Sequence, residues 1–242
     1  MIGVSNYGRV HLRMIEHLLV KRKLELVAAT VVNQEEEADL CAKLSSAGCE
    51  LYCDYREMLQ VWLDRIDLCM IPTPIFLHEE MTIAALRARA NVLIEKPLTP
   101  VTEGCRAIIE EAERCGRFVA VGFQKMHSPA TLRIKQDLLS GVIGELQEIR
   151  GITLWPRPES YFSRNSWAGR IQVGGSMALD SPVSNAAAHF LHLMLFWAGD
   201  QMRSVASIAA SLEAETYRAN RIQNFDTASL RGVTESGVRI TF

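Results

Sequence analysis

Hydrophobic positions in the first half of the chain follow two alternating patterns. Segments with apolar residues on one helical face, such as Val10, Met14 and Leu18, alternate with short and nearly continuous apolar runs, such as residues 24–32. Runs of the second kind are typical of strands buried on both faces of a parallel sheet. The alternation up to about residue 121 therefore predicts βαβ units. The predicted helices are 35–47, 55–63, 76–89 and 101–115, and the predicted strands are 24–32, a short one near 51, 68–71, 92–95 and 118–122.

Three short sequences mark where helices begin or end. Gly48 follows the first of the listed helices, as expected of a glycine just past a helix C-terminus. Thr99 and Pro100 predict an N-cap and the first helical position after it. Ser128 and Pro129 predict a second helix start of the same kind.

The pattern changes after about residue 139. Residues 146–154 predict a strand, residues 156–175 show little periodicity, and residues 185–198 predict a buried helix. Three strand-like runs follow without helices between them, at 205–212, 227–233 and 238–242. Consecutive strands of this kind indicate an antiparallel sheet, with a hairpin turn at residues 235–237.

Composition and charge narrow the range of partners. The chain has 26 lysines and arginines against 28 aspartates and glutamates, so its formal net charge is 26 − 28 = −2. Its pI is about 6.3. No global basic field draws the chain to nucleic acid or to an anionic membrane, so the expected partner is a small molecule. The sequence contains no apolar run of membrane-spanning length and opens without a signal-peptide pattern, so we expect a cytoplasmic protein. The 6 cysteines are scattered, which suits a reducing compartment, and no metal site is expected.

The start of the chain contains a variant of the dinucleotide-binding fingerprint. Residues 3–8 read G-x-S-x-x-G, and the segment opens a predicted helix whose first amides could face a pyrophosphate. Serine replaces the middle glycine, which normally lets the backbone approach the phosphates closely. A turn without a ligand is the alternative, but the βαβ pattern that follows favours a cofactor. The candidate cofactor-binding residues in this segment are Gly3, Ser5, Asn6, Tyr7 and Gly8.

The residue expected to bind the ribose is not acidic in this chain. Asn33 follows the second predicted strand and could bond a ribose hydroxyl, whereas the fingerprint usually has an acid there. The three glutamates at 35–37 would repel a 2′-phosphate; a solvated start of the next helix is an equal alternative. The cofactor is therefore NAD or NADP, with a slight preference for NAD.

The most specific feature is Glu95-Lys96-Pro97, at the carboxyl end of a predicted strand. Ligands bind at that edge of open α/β sheets. Partial burial beside a cofactor could lower the pKa of Lys96 enough for proton exchange with a substrate hydroxyl. An unremarkable surface lysine in a loop is the alternative interpretation.

Several motifs together resemble the Gfo/Idh/MocA family, the relatives of glucose-fructose oxidoreductase and inositol dehydrogenase. The motifs are the segment 3–11, Pro72-Thr73-Pro74 with His78, Glu95-Lys96-Pro97, Gly122-Phe123-Gln124, and Gly174-Gly175-Ser176 leading to Asp180. The resemblance implies that Lys96 contacts substrate and nicotinamide and that Asp180 and His189 complete the catalytic site. It also implies that the cofactor is lined by Thr73, Pro74 and His78, with Glu95 and Gln124 as further cofactor-binding candidates.

The spacing of the implied catalytic pair departs from that family. Its members usually place the two residues four apart, whereas Asp180 and His189 are separated by 189 − 180 = 9. Asn185 stands one helical turn before His189, so both would face one cleft if the segment were helical. His192 fits the role of a core histidine better than His189 does. The loop 157–170 is rich in arginine and aromatic residues, which suits a polyol or a sugar acid or, equally, packing of the loop. The substrate-binding candidates are Arg164, Trp167 and Asn185.

These observations predict an α/β Rossmann-type parallel sheet followed by an α+β domain with an open, predominantly antiparallel sheet. The boundaries are 1–123 for the dinucleotide-binding domain and 124–242 for a substrate and oligomerisation domain, with a homo-oligomer expected from the resemblance. Only two residues precede Gly3, and residues 238–242 stop in mid-strand, so we expect a sequence truncated at both ends, with the second domain incomplete at its C-terminus.

The predicted activity is hydride transfer between a nicotinamide cofactor and a secondary hydroxyl carbon of a sugar, cyclitol or derivative, with Lys96 exchanging the proton. Two alternatives remain open. One is a nucleotide-binding sensor or scaffold without catalysis, favoured by Ser5, the missing ribose acid and the displaced histidine. The other is an epimerase or glycosidase that uses tightly bound NAD transiently.

Overall fold

The alternation predicted for the first half of the chain is present in the computed structural model, which describes residues 1–242 apart from the side chains at 209 and 210. Two compact units make up the chain, Met1–Gly122 and Phe123–Phe242. Among the described residues, no helix is both long and apolar enough to cross a membrane. The helices of the first unit are α1 (Gly8–Val20), α2 (Ala38–Ser46), α3 (Tyr55–Val61), α4 (His78–Arg87) and α5 (Thr102–Cys115). Its strands are β1 (Ala28–Thr30), β2 (Glu50–Tyr52), β3 (Leu68–Ile71), β4 (Asn91–Ile94) and β5 (Val119–Val121).

The strands of the first unit pair in parallel, as β1 with β2 and as β3–β4–β5. Ile2 joins the two sets, because it forms a parallel bridge with Thr30 and its amide donates to the Met70 carbonyl at 2.8 Å. The resulting order, β2-β1-Ile2-β3-β4-β5, is the order of a doubly wound dinucleotide-binding sheet. In this order the carboxyl ends of the parallel strands lie at one edge of the sheet. The segments that leave the sheet there begin at Gly3, Val31, Pro72, Glu95 and Gly122.

Two local predictions in this unit are wrong. The strand predicted at 24–32 is reduced to β1, because Leu24 and Leu26 pack into the core outside the ladder. The helix predicted at 101–115 is present as α5, but its N-cap is Val101, in an extended conformation, and not Thr99 as predicted. The Thr99 hydroxyl donates to the Val101 carbonyl at 2.6 Å and so stabilises the preceding turn instead of capping the helix. By contrast, Gly48 has φ +86°, which agrees with its predicted place after a helix.

The second unit has a mixed sheet, in the order β6-β11-β10-β9, with a short separate hairpin. Its strands are β6 (Glu148–Arg150), β7 (Gln172–Val173), β8 (Ser176–Met177), β9 (Ile208–Tyr217), β10 (Thr227–Thr234) and β11 (Arg239–Thr241). Its helices are α6 (Pro129–Leu139), α7 (Glu159–Ser163) and α8 (Ala188–Ala198). The pairs β9–β10 and β10–β11 are antiparallel, as predicted, while β11 and β6 are parallel. Met194 and Ala198 of α8 form a core with Ile240 of β11 and with Val238, which directly precedes that strand.

Helix α6 begins as the sequence predicts and holds α8 in place. The Ser128 hydroxyl accepts from the Thr131 amide at 3.2 Å, and Pro129 occupies the first turn. The Trp197 indole of α8 donates to the Thr131 carbonyl at 3.3 Å. Farther along α6, the Lys135 side chain is fully buried and its ammonium reaches the carbonyls of Phe196 and Gly199 at the end of α8.

A buried glutamate that bridges α4 and α5 predicts how stability depends on acidity. Arg114 and Arg87 donate to the Glu111 carboxylate and lower its pKa from 4.5 to about 2. Since the folded pKa lies below the unfolded value, this stabilisation is present above pH 4.5 and is lost as the pH falls towards 2. We expect the Glu111→Gln variant to unfold at lower urea concentration than wild type at neutral pH, with the difference disappearing towards pH 2. Urea titrations over a pH series measure this, with Glu113→Gln on the exposed face of α5 as control. A difference that does not change with pH would contradict the prediction.

Candidate functional site

The glycine turn at the start of α1 has the backbone geometry of the fingerprint. Gly3 has φ +87°, a conformation that suits glycine, and a Cβ built on it would lie 3.2 Å from the Thr73 methyl group. A Cβ on Gly8 would lie 2.7 Å from the Gly3 carbonyl oxygen. The close approach of α1 to the Gly3 backbone therefore requires glycine at this position. The amides of Gly8, Arg9 and Val10 donate to the turn carbonyls of residues 5–7.

The serine that replaces the middle glycine faces the end of β1. Its hydroxyl lies 3.4 Å from the Asn33 side-chain oxygen, so the turn and the predicted ribose position are adjacent. The Asn33 amide also donates to the Glu36 carboxylate at 2.9 Å, and Glu37 forms an ion pair with Arg9 of α1. Glu36 and Glu37 therefore help to join the end of β1 to α1 and are more than a solvated helix start.

His78 does not have the role that the sequence predicted for it. Its side chain is fully buried, and its Nδ1 and Nε2 lie 2.8 Å from the Pro97 carbonyl and 2.9 Å from the Thr73 carbonyl. Burial lowers the pKa of His78, so the neutral ring donates to one carbonyl at a time. A ring enclosed in this way cannot line a cofactor, so His78 acts by joining the segment that contains Thr73 and Pro74 to the segment that contains Lys96.

Glu95 is likewise engaged within the protein. Its Oε1 lies 3.0 Å from His11 Nε2, and its Oε2 accepts from the Lys96 amide at 3.3 Å. Its side chain is 13% exposed, which leaves little of the carboxylate for a ligand. Lys96 follows directly, at the carboxyl end of β4 and half-buried, and the Lys96–Pro97 peptide bond is cis. The contact of His11 with Glu95 was not predicted from the sequence. The one signal for it is that His11 stands three residues after Gly8, on the first turn of the predicted helix.

In the second unit the structure brings Asp180 and Asn185 together. Asp180 is buried, its Oδ1 accepts from the Asn185 amide at 2.7 Å, and its Oδ2 accepts from the Gly169 backbone amide at 2.7 Å. The Asn224 side chain donates to the Asp180 carbonyl at 3.0 Å. Asp180 therefore organises three segments of the chain, and Asn224 is a partner that the sequence did not reveal.

The separation between Asp180 and His189 has a structural cause. Ser181 and Ser184 cap a separate π-helical turn, Pro182–Ala186, in a reciprocal arrangement, and α8 begins only at Ala188. The prediction of one helix from Asn185 through His189 is therefore wrong. Ser184, at the position where the family's histidine would stand, donates to the Leu179 carbonyl at 2.9 Å.

His189 and His192 both contact Phe123, but in different ways. The His189 ring meets the Phe123 ring edge-on at 5.9 Å, whereas the His192 ring stacks on it at 4.0 Å. Burial lowers the pKa of His192, and the nearby His189 and His127 add to the effect. His192 is thus a half-buried packing residue, in line with the sequence prediction. Gln124, the neighbour of Phe123, is exposed in a short 3₁₀ helix, Gln124–His127.

A cavity of about 700 Å³ lies within the second unit, next to Asp180. Arg157, Tyr161 and Phe162 line it together with the segment that follows β6. The Arg157 guanidinium is 4.1 Å from the Trp155 ring and 4.5 Å from the Tyr161 ring. These are cation–π distances. Burial raises the pKa of Tyr161.

Arg164 and Trp167, the predicted substrate residues of this loop, stand beside the cavity and are not among the described residues that line it. The Arg164 guanidinium is 3.5 Å from the Tyr161 ring and 5.8 Å from the Trp167 ring. Within this loop, Arg157 and Tyr161 are therefore better placed than Arg164 and Trp167 to meet a ligand in the cavity. The arginines of this loop indicate in the sequence that it could contact a ligand, but the sequence does not indicate which arginine faces the cavity.

Comparisons with known proteins agree with this architecture. Relatives include inositol 2-dehydrogenase of Klebsiella pneumoniae, which is 27% identical over 206 residues, or 85% of this chain and 55% of the relative. Another is dTDP-3,4-didehydro-2,6-dideoxy-alpha-D-glucose 3-reductase of Streptomyces antibioticus, 29% identical over 73% of this chain and 53% of the relative. The chain thus spans about half the length of the curated relatives it matches.

Solved structures share the fold. The WlbA dehydrogenase of Bordetella pertussis, crystallised with NADH and UDP-GlcNAcA, matches with a TM-score of 0.81 at 23% identity, over 100% of this chain and 64% of that one. The myo-inositol 2-dehydrogenase of Lactobacillus plantarum matches with a TM-score of 0.71 at 24% identity, over 99% of this chain and 67% of that one.

Family matches cover both units. Residues 1–123 match the family described as the oxidoreductase family with an NAD-binding Rossmann fold, and residues 131–242 match the GFO/IDH/MocA C-terminal domain. The glycine turn, the Glu95-Lys96-Pro97 segment and the mixed sheet lie inside these matched ranges. The chain belongs to the GFO/IDH/MocA oxidoreductase family.

Proposed function

We propose that the protein is an NAD(P)-dependent oxidoreductase that transfers hydride between a nicotinamide and a secondary hydroxyl carbon of a sugar, cyclitol or derivative. The observation that carries the proposal is the position of Lys96, at the carboxyl end of β4 and on the same sheet edge as the glycine turn. That edge is where open α/β sheets bind their ligands. The named activities of the relatives, on inositol and on a deoxysugar nucleotide, support the substrate class.

The residues at this edge fit a dinucleotide. Gly3 and Gly8 leave room where a Cβ would meet Thr73 or the turn carbonyl, and the Ser5 hydroxyl and Asn33 lie together at the end of β1. We assign the pyrophosphate to the turn of residues 3–8 and a ribose hydroxyl to Asn33. The carboxylate of Glu36, bonded to Asn33, disfavours a 2′-phosphate and so supports NAD over NADP. When bound, the nicotinamide accepts or donates the hydride.

Lys96 is assigned the proton. In the oxidative direction the carbinol carbon of the substrate loses hydride, and the neutral amine of Lys96 takes the hydroxyl proton, so the products are a ketone, a reduced nicotinamide and a protonated lysine. In the reductive direction the ammonium of Lys96 returns that proton to the forming alkoxide. Proton transfer by a positioned side chain typically contributes about 10²- to 10⁴-fold to the rate.

In the second unit we assign substrate contacts to Asn185 and His189, with Asp180 holding the segment that contains Asn185. Arg157 and Tyr161 are assigned to a substituent of the substrate that enters the cavity. Arg164 is assigned to support the Tyr161 ring, which its guanidinium contacts at 3.5 Å, and Trp167 lies beside Arg164.

The experiment that tests the proposal measures cofactor binding and cofactor reduction separately. The protein is titrated with NAD and with NADP, and the nicotinamide absorbance is then followed with a panel of inositols, sugars and sugar acids. We expect tighter binding of NAD and reduction with at least one member of the panel. Tight binding without reduction or product would favour a sensor, and product formation without net reduction would favour transient use of NAD by an epimerase or glycosidase. Failure to bind either dinucleotide would overturn the proposal.

A further inference from the structure

We infer that His11 is a positioning residue for Lys96, acting through Glu95, so that the helix that opens at the glycine turn also fixes the proton-exchanging amine. The inference rests on the proposed function of Lys96. It extends that function by assigning a task to His11, which lies on α1, 84 residues away from Glu95 in sequence.

The contact between the two side chains is shielded from solvent. His11 Nε2 and Glu95 Oε1 are 3.0 Å apart, and the two side chains are 10% and 13% exposed. The Tyr7 ring meets the His11 ring edge-on, with the centroids 5.8 Å apart. His11 is thus held between the glycine turn and the end of β4, one helical turn after Gly8.

Glu95 is fixed on two further sides. Its second carboxylate oxygen accepts from the Lys96 amide at 3.3 Å, which sets the direction in which the chain leaves β4. At the end of β5, a Cβ built on Gly122 would lie 2.9 Å from Glu95 Oε1, so the absence of a side chain there makes room for the carboxylate. His78 holds the other side of Lys96 through the Pro97 carbonyl at 2.8 Å. The backbone of Lys96 is therefore anchored on both sides.

A buried polar pair such as His11 and Glu95 contributes little to the free energy of unfolding compared with apolar residues of the same size. Replacing both partners of such a pair by apolar groups is often neutral or stabilising, whereas removing one partner leaves the other unsatisfied. The pair does supply a directional contact between α1 and the residue before Lys96. Removing both partners therefore separates positioning from folding.

The test compares four variants by their melting temperature, NAD affinity, kcat and KM. His11→Leu removes one partner, and His11→Leu combined with Glu95→Met removes both, so neither side chain leaves the polar group of the other without its partner. The double variant also removes the contact of the Lys96 amide with Glu95 Oε2. His11→Gln keeps an N–H donor at the end of the side chain, and His17→Leu changes an exposed histidine of the same helix as control. We expect the double variant to melt near wild type and to bind NAD normally, with kcat reduced about 10- to 100-fold because a displacement of about 1 Å has that effect on rate. His11→Gln should recover most of the lost kcat, and His17→Leu should match wild type.

A readout that does not require turnover keeps this inference distinct from the proposed function. Acetic anhydride modifies Lys96 and the exposed Lys43, and mass spectrometry gives the ratio of their rates. We expect that ratio to change in the double variant and to stay constant in His17→Leu. A double variant with wild-type kcat and a wild-type acetylation ratio would overturn the positioning role. Full activity in a Lys96→Met variant would instead overturn the proposed function and leave the acetylation result standing.

Discussion

Replacing Lys96 by methionine is expected to lower kcat about 10²- to 10⁴-fold, the usual contribution of a positioned proton-transfer group. Methionine keeps much of the length of the side chain and removes the amine. The glycine turn and Asn33, to which we assign the pyrophosphate and the ribose, are untouched, so the dissociation constant for NAD should change little. Steady-state rates and a binding titration on the same preparation give both quantities.

A lysine-to-arginine variant is the control that separates charge from proton exchange. The guanidinium of Lys96→Arg stays protonated at working pH and cannot take the hydroxyl proton. We expect it to be as impaired as Lys96→Met in the oxidative direction. Activity near wild type in Lys96→Met would remove this residue from the mechanism, while activity in Lys96→Arg alone would show that it supplies charge and not proton exchange.

Replacing Lys135 by methionine is expected to cost about 2 to 3 kcal/mol of stability, the upper part of the range of about 1 to 3 kcal/mol for buried hydrogen-bonding groups that lose their partner. The ammonium binds the carbonyls of Phe196 and Gly199 and lies 3.5 Å from the Ser204 carbonyl, so it caps the end of α8 from a neighbouring helix. Burial lowers the pKa of Lys135 and Asp200 opposes the shift, so part of the gain is offset by desolvation. Of these carbonyls, that of Phe196 also accepts from the Gly199 amide at 3.2 Å, so the Gly199 carbonyl depends more on the ammonium.

Urea unfolding followed by tryptophan fluorescence measures this effect, since Trp155, Trp167 and Trp197 lie in the second unit. A loss of that size corresponds to a melting temperature lower by roughly 4 to 12 °C for a chain of this length. Arg133→Met, on the exposed face of the same helix, is the matched control and should stay close to wild type. Equal stability of the Lys135 and Arg133 variants would show that the contact to α8 contributes nothing.

The order of elements in the first unit could be predicted because its strands and helices carry distinct hydrophobic periods. The strand at 68–71 was predicted with its exact limits, since it lies between Ile2 and β4 and is bounded by Asp67 and Pro72. The run at 24–32 was overestimated, because apolar side chains pack in a core equally well inside and outside a ladder. Thr99 shows the same limit for capping, since its hydroxyl contacts the Val101 carbonyl and lies 3.1 Å from Cys105 Sγ, and neither is an amide of the first helical turn.

The site was predictable at the level of segments and less so at the level of side chains. Glu95 and His78 belong to motifs that mark the cofactor edge, but their polar atoms contact the protein itself, and no pattern in the sequence distinguishes a side chain that binds a ligand from one that anchors the loop. The offset of His189 arises from a serine-capped turn, and the sequence shows the serines but not the turn that they close. Arg157 lines the cavity whereas Arg164 lies beside it, and the sequence shows two arginines of one loop without indicating which of them faces the cavity.

Transfer of a carbon-bound deuterium to the cofactor is the most direct measure of hydride transfer by this protein. The protein is incubated with NAD and carbon-deuterated myo-inositol or glucose, and the nicotinamide is analysed by mass spectrometry. We expect deuterium on the nicotinamide with at least one of these polyols, and transfer that is slower by about 10²- to 10⁴-fold with Lys96→Met. Wild-type protein that binds NAD tightly but never moves the label, or a Lys96→Met variant that moves it as fast as wild type, would contradict the account.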